Sequence, residues 1–417
     1  MADLDNILHR GLIPAPLALK LVLDGAKPAE TETVPLEDAA GRILANDLHS
    51  KRTQPPFPAS AMDGYAVRFE DLQEPGTTLN MIGEAAAGHP FDGKISNNEC
   101  VRIFTGAPVP EGADTIIIQE NVTAEGNNIT INELAPMGKF VRSAGLDFLE
   151  GQCLLTAGSL MDPQSLSLCA SMDHPKVTVY AKPKVAVLAT GDELVLPGET
   201  TKSGQIIASN TFGIAAISRD AGGDVINLGI ARDTLVELIS RIGTALDNGA
   251  DLIVTSGGAS VGDHDLVKPA MEHFGFTFSF VKIAMRPGKP VLFGRALIDG
   301  KERRFLGLAG NPVSSLVSSH IYLKPLIRML GGYSANTVKP INAVLGVDLA
   351  ANDEREDYLR GTAKRGVDGE LVVRPFERQD SSMLATLSKA DCLIIRPIAA
   401  PAAKTGDITQ VIMLRDV

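Results

Sequence analysis

The chain has 417 residues, of which 44% are hydrophobic and 21% are charged. This composition is typical of soluble proteins with buried cores and excludes disorder as the main state. At roughly 100–200 residues per domain, the length predicts two to four domains. The 50 acidic residues outnumber the 39 basic ones, which gives a net charge of -11. Such a balance argues against a general nucleic-acid binder, but a local basic loop can still bind a small anion.

The four cysteines, Cys100, Cys153, Cys169 and Cys392, are far apart in the sequence. They predict reduced thiols, without a disulfide framework or a cysteine zinc site. No signal peptide is visible before the first apolar run. The longest uncharged stretch, residues 305–323, contains a Gly-Asn-Pro turn and four serines, so a strand–loop–helix junction fits better than a membrane span. We therefore expect a cytoplasmic protein without a membrane segment.

The amino-terminal half begins with helical spacing over residues 15–26. Short alternating strands separated by Gly and Pro turns follow over residues 65–131 and predict a small β domain. Asp162 followed by Pro163 predicts the start of a helix that leads toward Met172, because Asp accepts from free amides and Pro suits the first turn.

From Lys184 onward, strands alternate with helices. The predicted order is KVAVLAT, a helix at 210–220, DVINLGI, a helix at 232–248, DLIVTS, a helix near 265–274, KPVLFG, RFLGLAG and a helix over 312–330. This alternation predicts parallel βαβ units with helices on both faces, whose ligands bind beyond the carboxyl ends of the strands. From Gly332 onward, short strands return and predict a second small β domain.

Two loops at strand ends carry residues suited to metal or phosphate chemistry. Asp192 and Glu193 follow the first strand and can hold Mg²⁺ or position water, although an isolated pair of acids is usually a solvated turn. In residues 255–262, glycines let backbone amides approach a phosphate and hydroxyls add donors, but such loops are common. His264, just beyond this loop, fits no metal-ligand or nucleophile pattern.

Two further loops of this half suggest anion binding. Asn311 can cap a helix whose free amides attract anions and Pro312 suits its first turn, although this dipeptide alone is an ordinary cap. The segment 282–290 carries three cations, Lys282, Arg286 and Lys289, and its two prolines stiffen it, which predicts a rigid anion cradle. The alternative, an exposed basic turn, leaves the apolar residues between these charges unexplained.

In the amino-terminal half, residues 60–66 contain Asp63 behind a Pro-rich turn, and residues 105–114 form a similarly stiff turn. A lone Asp in a turn usually caps the backbone. A catalytic role for Asp63 is predicted only when its loop is considered together with the other loops.

Taken together, the loops resemble the MoeA family of molybdopterin molybdenumtransferases, which is similar to the E domain of gephyrin. The matching motifs, in order, are SAMDGYA, TGAPVPEGAD, the GLD of residues 145–147, TGDEL, SGGASVGDHD, RPGKP and GLAGNPVSS. Each motif alone is weak, but seven in order over about residues 10–417 form a specific signal.

The resemblance implies a multidomain α/β and β fold and an elongated homodimer, in which the amino-terminal part of one subunit faces the α/β domain of the other. The implied domains are a split helical and extended domain at 1–50 and 140–180, a β domain at 51–139, a doubly wound parallel α/β molybdopterin-binding domain at 181–330, and a carboxyl-terminal β barrel at 331–417.

The implied reaction delivers molybdate to adenylylated molybdopterin and releases AMP, assisted by Mg²⁺ or Zn²⁺. The resemblance implies the catalytic residues Asp63, Thr105, Asp147, Glu193 and Asp265, of which Asp63, Glu193 and Asp265 are the metal candidates. The substrate-binding residues that it implies are Asp192, Ser256, Gly257, Gly258, Ser260, Lys282, Arg286, Lys289, Gly310, Asn311, Pro312 and Ser314. Cleavage of a pyrophosphate needs cations or amides to neutralise charge on the phosphoryl oxygens, and acids beside them need an intervening metal ion.

The sequence departs from the family pattern at several positions. The family often has lysine at the position of Arg286 and arginines at the positions of Ser143 and Ala144, and it usually has valine at the position of Ala259. Arginine at 286 keeps the charge and adds a planar fork, so we expect anion binding to survive. An anion-guiding role of residues 143–144 is in doubt.

Two rival functions stay open. One is a gephyrin-like scaffold, and the other is a molybdopterin adenylyltransferase, an activity of a related α/β domain. The expected partners are adenylylated molybdopterin, molybdate, a second copy of the chain, and also molybdopterin adenylyltransferase and apo-molybdoenzymes; nucleic acid and membranes are not expected.

Overall fold

The computed structural model describes residues 11–258, 266–334, 339–366 and 368–416. The chain forms two compact units. The small unit contains Thr33–Ala40 and Leu44–Thr178, and the large unit contains the residues up to Glu32, Gly41–Ile43 and Val179–Val417. This division is coarser than the four predicted domains, whose boundaries stay a prediction.

The small unit is built around a six-stranded half-barrel sheet, which confirms the predicted β domain. Its strands, in spatial order, are Thr115–Ile118, Gly64–Val67, Glu99–Ile103, Thr78–Ala85, Asn128–Ile131 and Val122–Glu125. Successive side chains of a strand point to opposite faces, so Tyr65 and Val67 enter one apolar cluster while Ala66 enters another. Both faces of the sheet are therefore covered.

Shorter elements complete the small unit. Ala59–Ser60 pairs with Val141–Arg142, and Leu48–His49 pairs with Cys153–Leu155. Helix Pro163–Ser171 begins as predicted, because the Asp162 carboxylate accepts from the amide of Ser165 at 2.7 Å. Two further strands, Thr31–Pro35 and Lys176–Tyr180, each have residues in both units. The 3₁₀ turns of the small unit are Leu36–Asp38, Phe69–Asp71 and Gln119–Asn121.

The large unit contains a six-stranded sheet with helices on both faces. Its strands, in spatial order, are Asp224–Ala231, Lys184–Thr190, Leu252–Ser256, Lys301–Leu308, Pro290–Ile298 and Thr277–Lys282. The first four are parallel, as predicted, and the last two join by antiparallel pairing. Only Asp299 and Gly300 separate Pro290–Ile298 from Lys301–Leu308. A parallel connection needs a much longer crossover, so these strands form a hairpin.

The helices of this unit bury alternate residues of the same strands. Val185 and Val187 belong to one apolar cluster, and Ala186 and Leu188 belong to the cluster on the other face. The helices are Ala15–Leu23, Asn210–Asp220, Leu235–Asp247, Val267–His273, Pro312–Ser318 and Lys324–Leu330. The helix predicted over 312–330 is interrupted by a π-helical turn at Ser319–Leu323.

The end of the large unit is a closed five-stranded barrel. Its strands are Glu356–Arg365, Leu371–Pro375, Ile341–Leu345, Ile408–Met413 and Cys392–Arg396. The barrel closes because Glu356–Arg365 pairs with both Leu371–Pro375 and Cys392–Arg396. The remaining elements are helix Leu384–Leu387 and the short strands Leu194–Val195, Ile206–Ile207 and Met285–Arg286. Of the helices in the described ranges, none has the length and apolar character needed to cross a bilayer.

Candidate active site

The large unit has a cavity of about 700 Å³ at the carboxyl ends of Lys184–Thr190, Leu252–Ser256 and Lys301–Leu308. Ligands of doubly wound sheets bind at this edge. The predicted site residues in its wall are Glu193, Ser256, Gly257, Gly258, Gly310, Asn311 and Pro312. The fold thus brings together three loops that the sequence analysis treated separately.

Glycine is required where the loop after Leu252–Ser256 passes the end of the strand Lys184–Thr190. Gly257 has φ +98°, and a Cβ at this position would lie 2.4 Å from the carbonyl oxygen of Thr190. Gly258 has φ +60°, and its Cβ would lie 2.4 Å from Val267 Cγ2. The amide of Gly257 donates to Leu308 O at 3.1 Å. These contacts leave no room for a side chain at either position.

Asn210 joins two walls of the cavity and was missed by the sequence analysis. Its Nδ2 donates to Ser256 Oγ at 2.8 Å and to Gly310 O at 2.7 Å. Ser209 and Thr211 line the same cavity. Polar residues at the first turn of a helix that follows a strand were the signal that could have identified this segment.

The hydroxyl of Thr190 belongs to the wall of the cavity. Thr190 is 4% exposed, lines the cavity, and its Oγ1 has no hydrogen-bond partner among the residues that the structure describes. A buried polar group usually has a partner. Thr190 is therefore a donor or acceptor that a bound ligand could use.

Three carboxylates lie near the same strand ends. The amide of Asp233 donates to Asp192 Oδ1 at 3.2 Å, and Arg232 Nη1 donates to Asp192 O at 2.9 Å. Burial, and next the negative charge of Asp192, raise the pKa of the Asp233 carboxyl; the charge of Glu193 acts in the same direction. Asp233 was missed, although it follows the strand Asp224–Ala231, whose carboxyl end belongs to this edge.

The predicted cation loop, residues 282–290, borders the cavity through Pro290. Lys282 and Lys289 form no ion pair with any residue in the described ranges. Arg286, by contrast, is bound to Asp357 and Asp353. The three cations that the sequence analysis grouped together therefore differ in whether their charge is compensated.

Asn311 occupies the cap position of helix Pro312–Ser318, but its side chain makes no capping bond. The Nδ2 atom of Asn311 instead donates to Ser381 Oγ at 3.0 Å. Ser381 was missed because nothing in the sequence indicates that the barrel segment reaches this loop. Ser314 lies in the first turn of the same helix and is 5% exposed.

In the small unit, Asp63 is bound to Thr105. The Asp63 Oδ1 atom accepts from both Thr105 N and Thr105 Oγ1 at 2.8 Å. These bonds, first from the amide and then from the hydroxyl, lower the pKa of the Asp63 carboxyl, and the charge of Arg102 adds to the effect. The prediction that both residues are catalytic stays a prediction, but the fold places them in direct contact.

The small unit also has a cavity of about 390 Å³ beside the same loop. Its wall contains the predicted residue Asp147 together with Arg142 and Gly106. Ser143 and Ala144 are exposed and lie outside this wall. Arg142 therefore supplies a positive charge to the wall of this cavity. At the next two positions, where the family often has arginines, this chain has no charge.

Asp265 and Ser260, and with them Ala259 and His264, lie outside the described residues. Within the described ranges, no three His, Cys, Asp or Glu side chains are close enough to hold a metal ion. The predicted metal candidates Asp63 and Glu193 belong to different units.

Comparison with known proteins identifies three family models in chain order. Residues 13–172 match the MoeA N-terminal region (domain I and II), residues 186–329 match a probable molybdopterin binding domain, and residues 342–414 match the MoeA C-terminal region (domain IV). The 700 Å³ cavity is lined by residues of the second match.

Curated relatives extend over most of the chain. A molybdopterin molybdenumtransferase of Haemophilus influenzae is 39% identical over 370 residues, which cover 88% of this chain and 90% of the relative. One of Nostoc sp. is 34% identical, with 92% and 89% covered. The crystal structure of a molybdopterin biosynthesis MoeA protein from Pyrococcus horikoshii superposes with a TM-score of 0.79 at 31% identity, covering 97% of this chain and 100% of that one.

Proposed function

This chain belongs to the MoeA family of molybdopterin molybdenumtransferases, and from that premise we propose that it inserts molybdate into adenylylated molybdopterin with release of AMP. It is an enzyme with a role in molybdenum cofactor biosynthesis. The observation that carries the proposed reaction is the cavity at the strand ends, whose wall contains glycines and hydroxyl groups together with carboxylates. A polyanionic substrate that must also react needs both kinds of group.

We assign phosphate recognition to the donors in the wall of this cavity and to the two lysines of the 282–290 loop, which borders the cavity through Pro290. The hydroxyl of Ser256 and the loop Gly257–Gly258 border the cavity directly. Lys282 and Lys289 provide charge that no described carboxylate compensates. Cations and fixed dipoles of this kind lower the barrier to P–O cleavage by neutralising charge that develops on the phosphoryl oxygens.

The carboxylates receive the second role, which is to orient the oxyanion and water rather than to bind phosphate. Asp63 is suited to it because two bonds from Thr105 fix its direction. Glu193 lies in the wall of the large cavity, and Asp147 lies in the wall of the small one. Asp265 is proposed on the sequence motif alone.

A divalent cation, Mg²⁺ or Zn²⁺, also stays a proposal. Asp192, Glu193 and Asp233 offer the oxygen ligands that Mg²⁺ prefers. The pKa of the Asp233 carboxyl is raised first by burial and next by the charge of Asp192, and a cation would relieve that repulsion. The described residues do not complete a metal site on their own. Calorimetric titration of the wild type and Glu193→Gln with MgCl₂ tests this proposal, which requires weaker binding in the variant.

The finer statements on assembly and location belong to the same proposal. Leu146 and Leu149 are exposed apolar side chains on the small unit, and such residues suit contact with a second copy in a homodimer. All four cysteines are free, as suits a reducing cytoplasm. Sedimentation analysis of the purified chain tests the dimer. Molybdopterin adenylyltransferase and apo-molybdoenzymes are the proposed transient partners.

Alanine at either carboxylate tests the assigned reaction. We expect Asp63→Ala and Glu193→Ala each to abolish molybdate-dependent AMP release while leaving pterin binding largely intact. Exposed carboxylates outside both cavities provide matched controls, Glu125→Ala in the small unit and Asp247→Ala in the large unit. Wild-type rates of AMP release in both test variants would show that the carboxylates are wrongly assigned.

The two rival functions are not favoured, because the relatives that cover most of the chain are molybdopterin molybdenumtransferases. Incubation with ATP and molybdopterin would favour the adenylyltransferase only if adenylylated product formed. Receptor-type peptide binding without AMP release would favour the scaffold.

A further inference from the structure

Arg286 is the cation of the 282–290 loop whose charge is compensated. Its Nε donates to Asp357 Oδ1 at 2.7 Å and its Nη2 donates to Asp357 Oδ2 at 2.6 Å. A third bond joins Nη1 to Asp353 Oδ2 at 3.0 Å. The two parallel bonds form the bidentate fork that only a guanidinium can make with a carboxylate.

The groups that accept from Arg286 are themselves fixed in the barrel. Asp357 has a side chain that is 9% exposed, and its strand pairs with Met285–Arg286. Asp353 Oδ1 accepts from the amide of Arg355 at 3.0 Å. Asn352 accepts from Arg286 Nη2 at 3.3 Å through Oδ1, while its own Nδ2 is held by three carbonyl oxygens at 2.8–2.9 Å. The barrel thus presents a set of fixed hydrogen-bond acceptors to the Arg286 side chain.

The electrostatics of this cluster oppose a role in anion binding. Two carboxylates pair with this one guanidinium, so its positive charge is compensated within the protein. A buried carboxylate such as Asp357 is costly without a partner, which makes its pairing with Arg286 a structural requirement. Lys282 and Lys289, near the two ends of the same loop, carry no such counter-ion in the described ranges.

The loop has other attachments to the large unit. The amide of Ile283 donates to Lys289 O at 2.8 Å and closes the loop on itself. The amide of Ala284 donates to Ile13 O at 2.7 Å. The Tyr322 hydroxyl donates to Met285 Sδ at 3.4 Å. Arg286 supplies the side-chain attachment to the barrel.

We propose that Arg286 is a positioning residue that fastens the loop to the barrel through Asp357, while Lys282 and Lys289 bind the substrate anion. The assignment of the anion rests on the proposed function. The barrel therefore contributes to catalysis by fixing the direction of two lysines that it does not itself carry. Lysine at position 286 would keep the charge but could not span Asp357 and Asp353 together.

A double-mutant cycle with Arg286→Lys and Asp357→Asn separates the two roles of Arg286. We expect each single variant to raise the KM for adenylylated molybdopterin about tenfold, the loss of a charge-assisted hydrogen bond, with a smaller change in kcat. The double variant should be no worse than either single one, because both remove the same attachment. A simple ligand role predicts that the two single variants differ: Asp357→Asn would leave the KM unchanged or lower it, because it removes a competitor for the guanidinium and keeps the ligand.

Hydrogen exchange provides a readout that does not depend on activity. Faster exchange of the Ile283 amide is expected in Arg286→Lys, in Asp357→Asn and, to a smaller extent, in Asp353→Asn, which removes only an exposed contact. Asp348→Asn breaks the Lys404–Asp348 bridge elsewhere on the barrel and is the matched control. If the Ile283 amide exchanged at the wild-type rate in all the test variants, Arg286 would not be the residue that fastens the loop to the barrel. If the variants exchanged faster but even the wild type released no AMP, the proposed function would be refuted. The positioning role of Arg286 would still hold.

Discussion

Asp63 and Asp233 are both aspartates in loops beside a cavity, one in each unit, yet their surroundings are opposite. Asp63 receives two hydrogen bonds from Thr105, which lower the pKa of its carboxyl. Asp233 is largely exposed, but the burial of part of its surface and the negative charges of Asp192 and Glu193 raise the pKa of its carboxyl. Donors stabilise the charged form of a carboxyl, whereas burial and like charge destabilise it.

This difference teaches what each loop is prepared to do. Asp63 is held as an anion in one direction without any ligand, so it suits orientation of a reacting group. Asp233 lies where negative charge is already in excess, so a cation or a proton is favoured beside it. Residue type alone, an Asp in a loop, could not distinguish these cases.

The largest expected effect comes from the glycines that shape the two cavities. Gly257 in the large unit and Gly106 in the small unit have φ +98° and +84°. A Cβ at Gly257 would meet the Thr190 backbone at 2.4 Å, whereas a Cβ at Gly106 would have nothing within 4 Å. We expect Gly257→Ala to lower the free energy of unfolding by about 2–4 kcal/mol, from strain plus overpacking, and Gly106→Ala by about 1–2 kcal/mol, from strain alone.

Urea denaturation of both variants measures this difference. Equal losses would mean that the strand end at Thr190 gives way, and that the large cavity is less rigid than its contacts indicate.

The pH dependence of stability sharpens the comparison, because the two carboxylates should act with opposite sign. The pKa of Asp63 is below its ordinary value of 3.8. The advantage of the wild type over Asp63→Asn should therefore be complete above that value and vanish as the pH falls through the lowered pKa. The pKa of Asp233 is above 3.8, so the wild type should lose stability relative to Asp233→Asn as the pH rises from 3.8 through the raised pKa.

Denaturation of the three proteins between about pH 3 and pH 7 tests both signs. At neutral pH we expect Asp233→Asn to be more stable than the wild type by at most about 0.5 kcal/mol, because the group is largely exposed. The contrast would be refuted if the stability difference between the wild type and the variant changed with pH in the same direction for both variants.

Much of the fold could be predicted because local patterns dictate it. Buried runs such as KVAVLAT and the start at Asp162–Pro163 led to the observed strand and helix. The π-helical turn at Ser319–Leu323 could not be predicted, because no glycine or proline lies within it. The hairpin of Pro290–Ile298 and Lys301–Leu308 was not predicted, because the alternation of strands and helices in the rest of this region indicated parallel βαβ units.

The site was predictable where a motif carries it and not where tertiary contact creates it. Glu193 and Gly257 belong to recognisable loops. Asn210 functions as a bridge only because the fold brings Ser256 and Gly310 within its reach. The different surroundings of Arg286 and Lys289 depend on Asp357, some 70 residues away in the barrel. Such long-range pairing leaves no periodic signal in the sequence.

The smallest expected effect tests how Asp63 keeps its charge. Thr105→Val removes the hydroxyl donor but keeps the amide, and the amide is the larger cause of the lowered pKa of Asp63. We therefore expect the pKa of Asp63 to move only part of the way back toward its ordinary value, and Thr105→Ser, which retains a hydroxyl, to leave it lowered. NMR titration of the Asp63 carboxyl carbon measures both. A full return to the ordinary value in Thr105→Val would show that the hydroxyl, rather than the amide, holds this carboxylate as an anion.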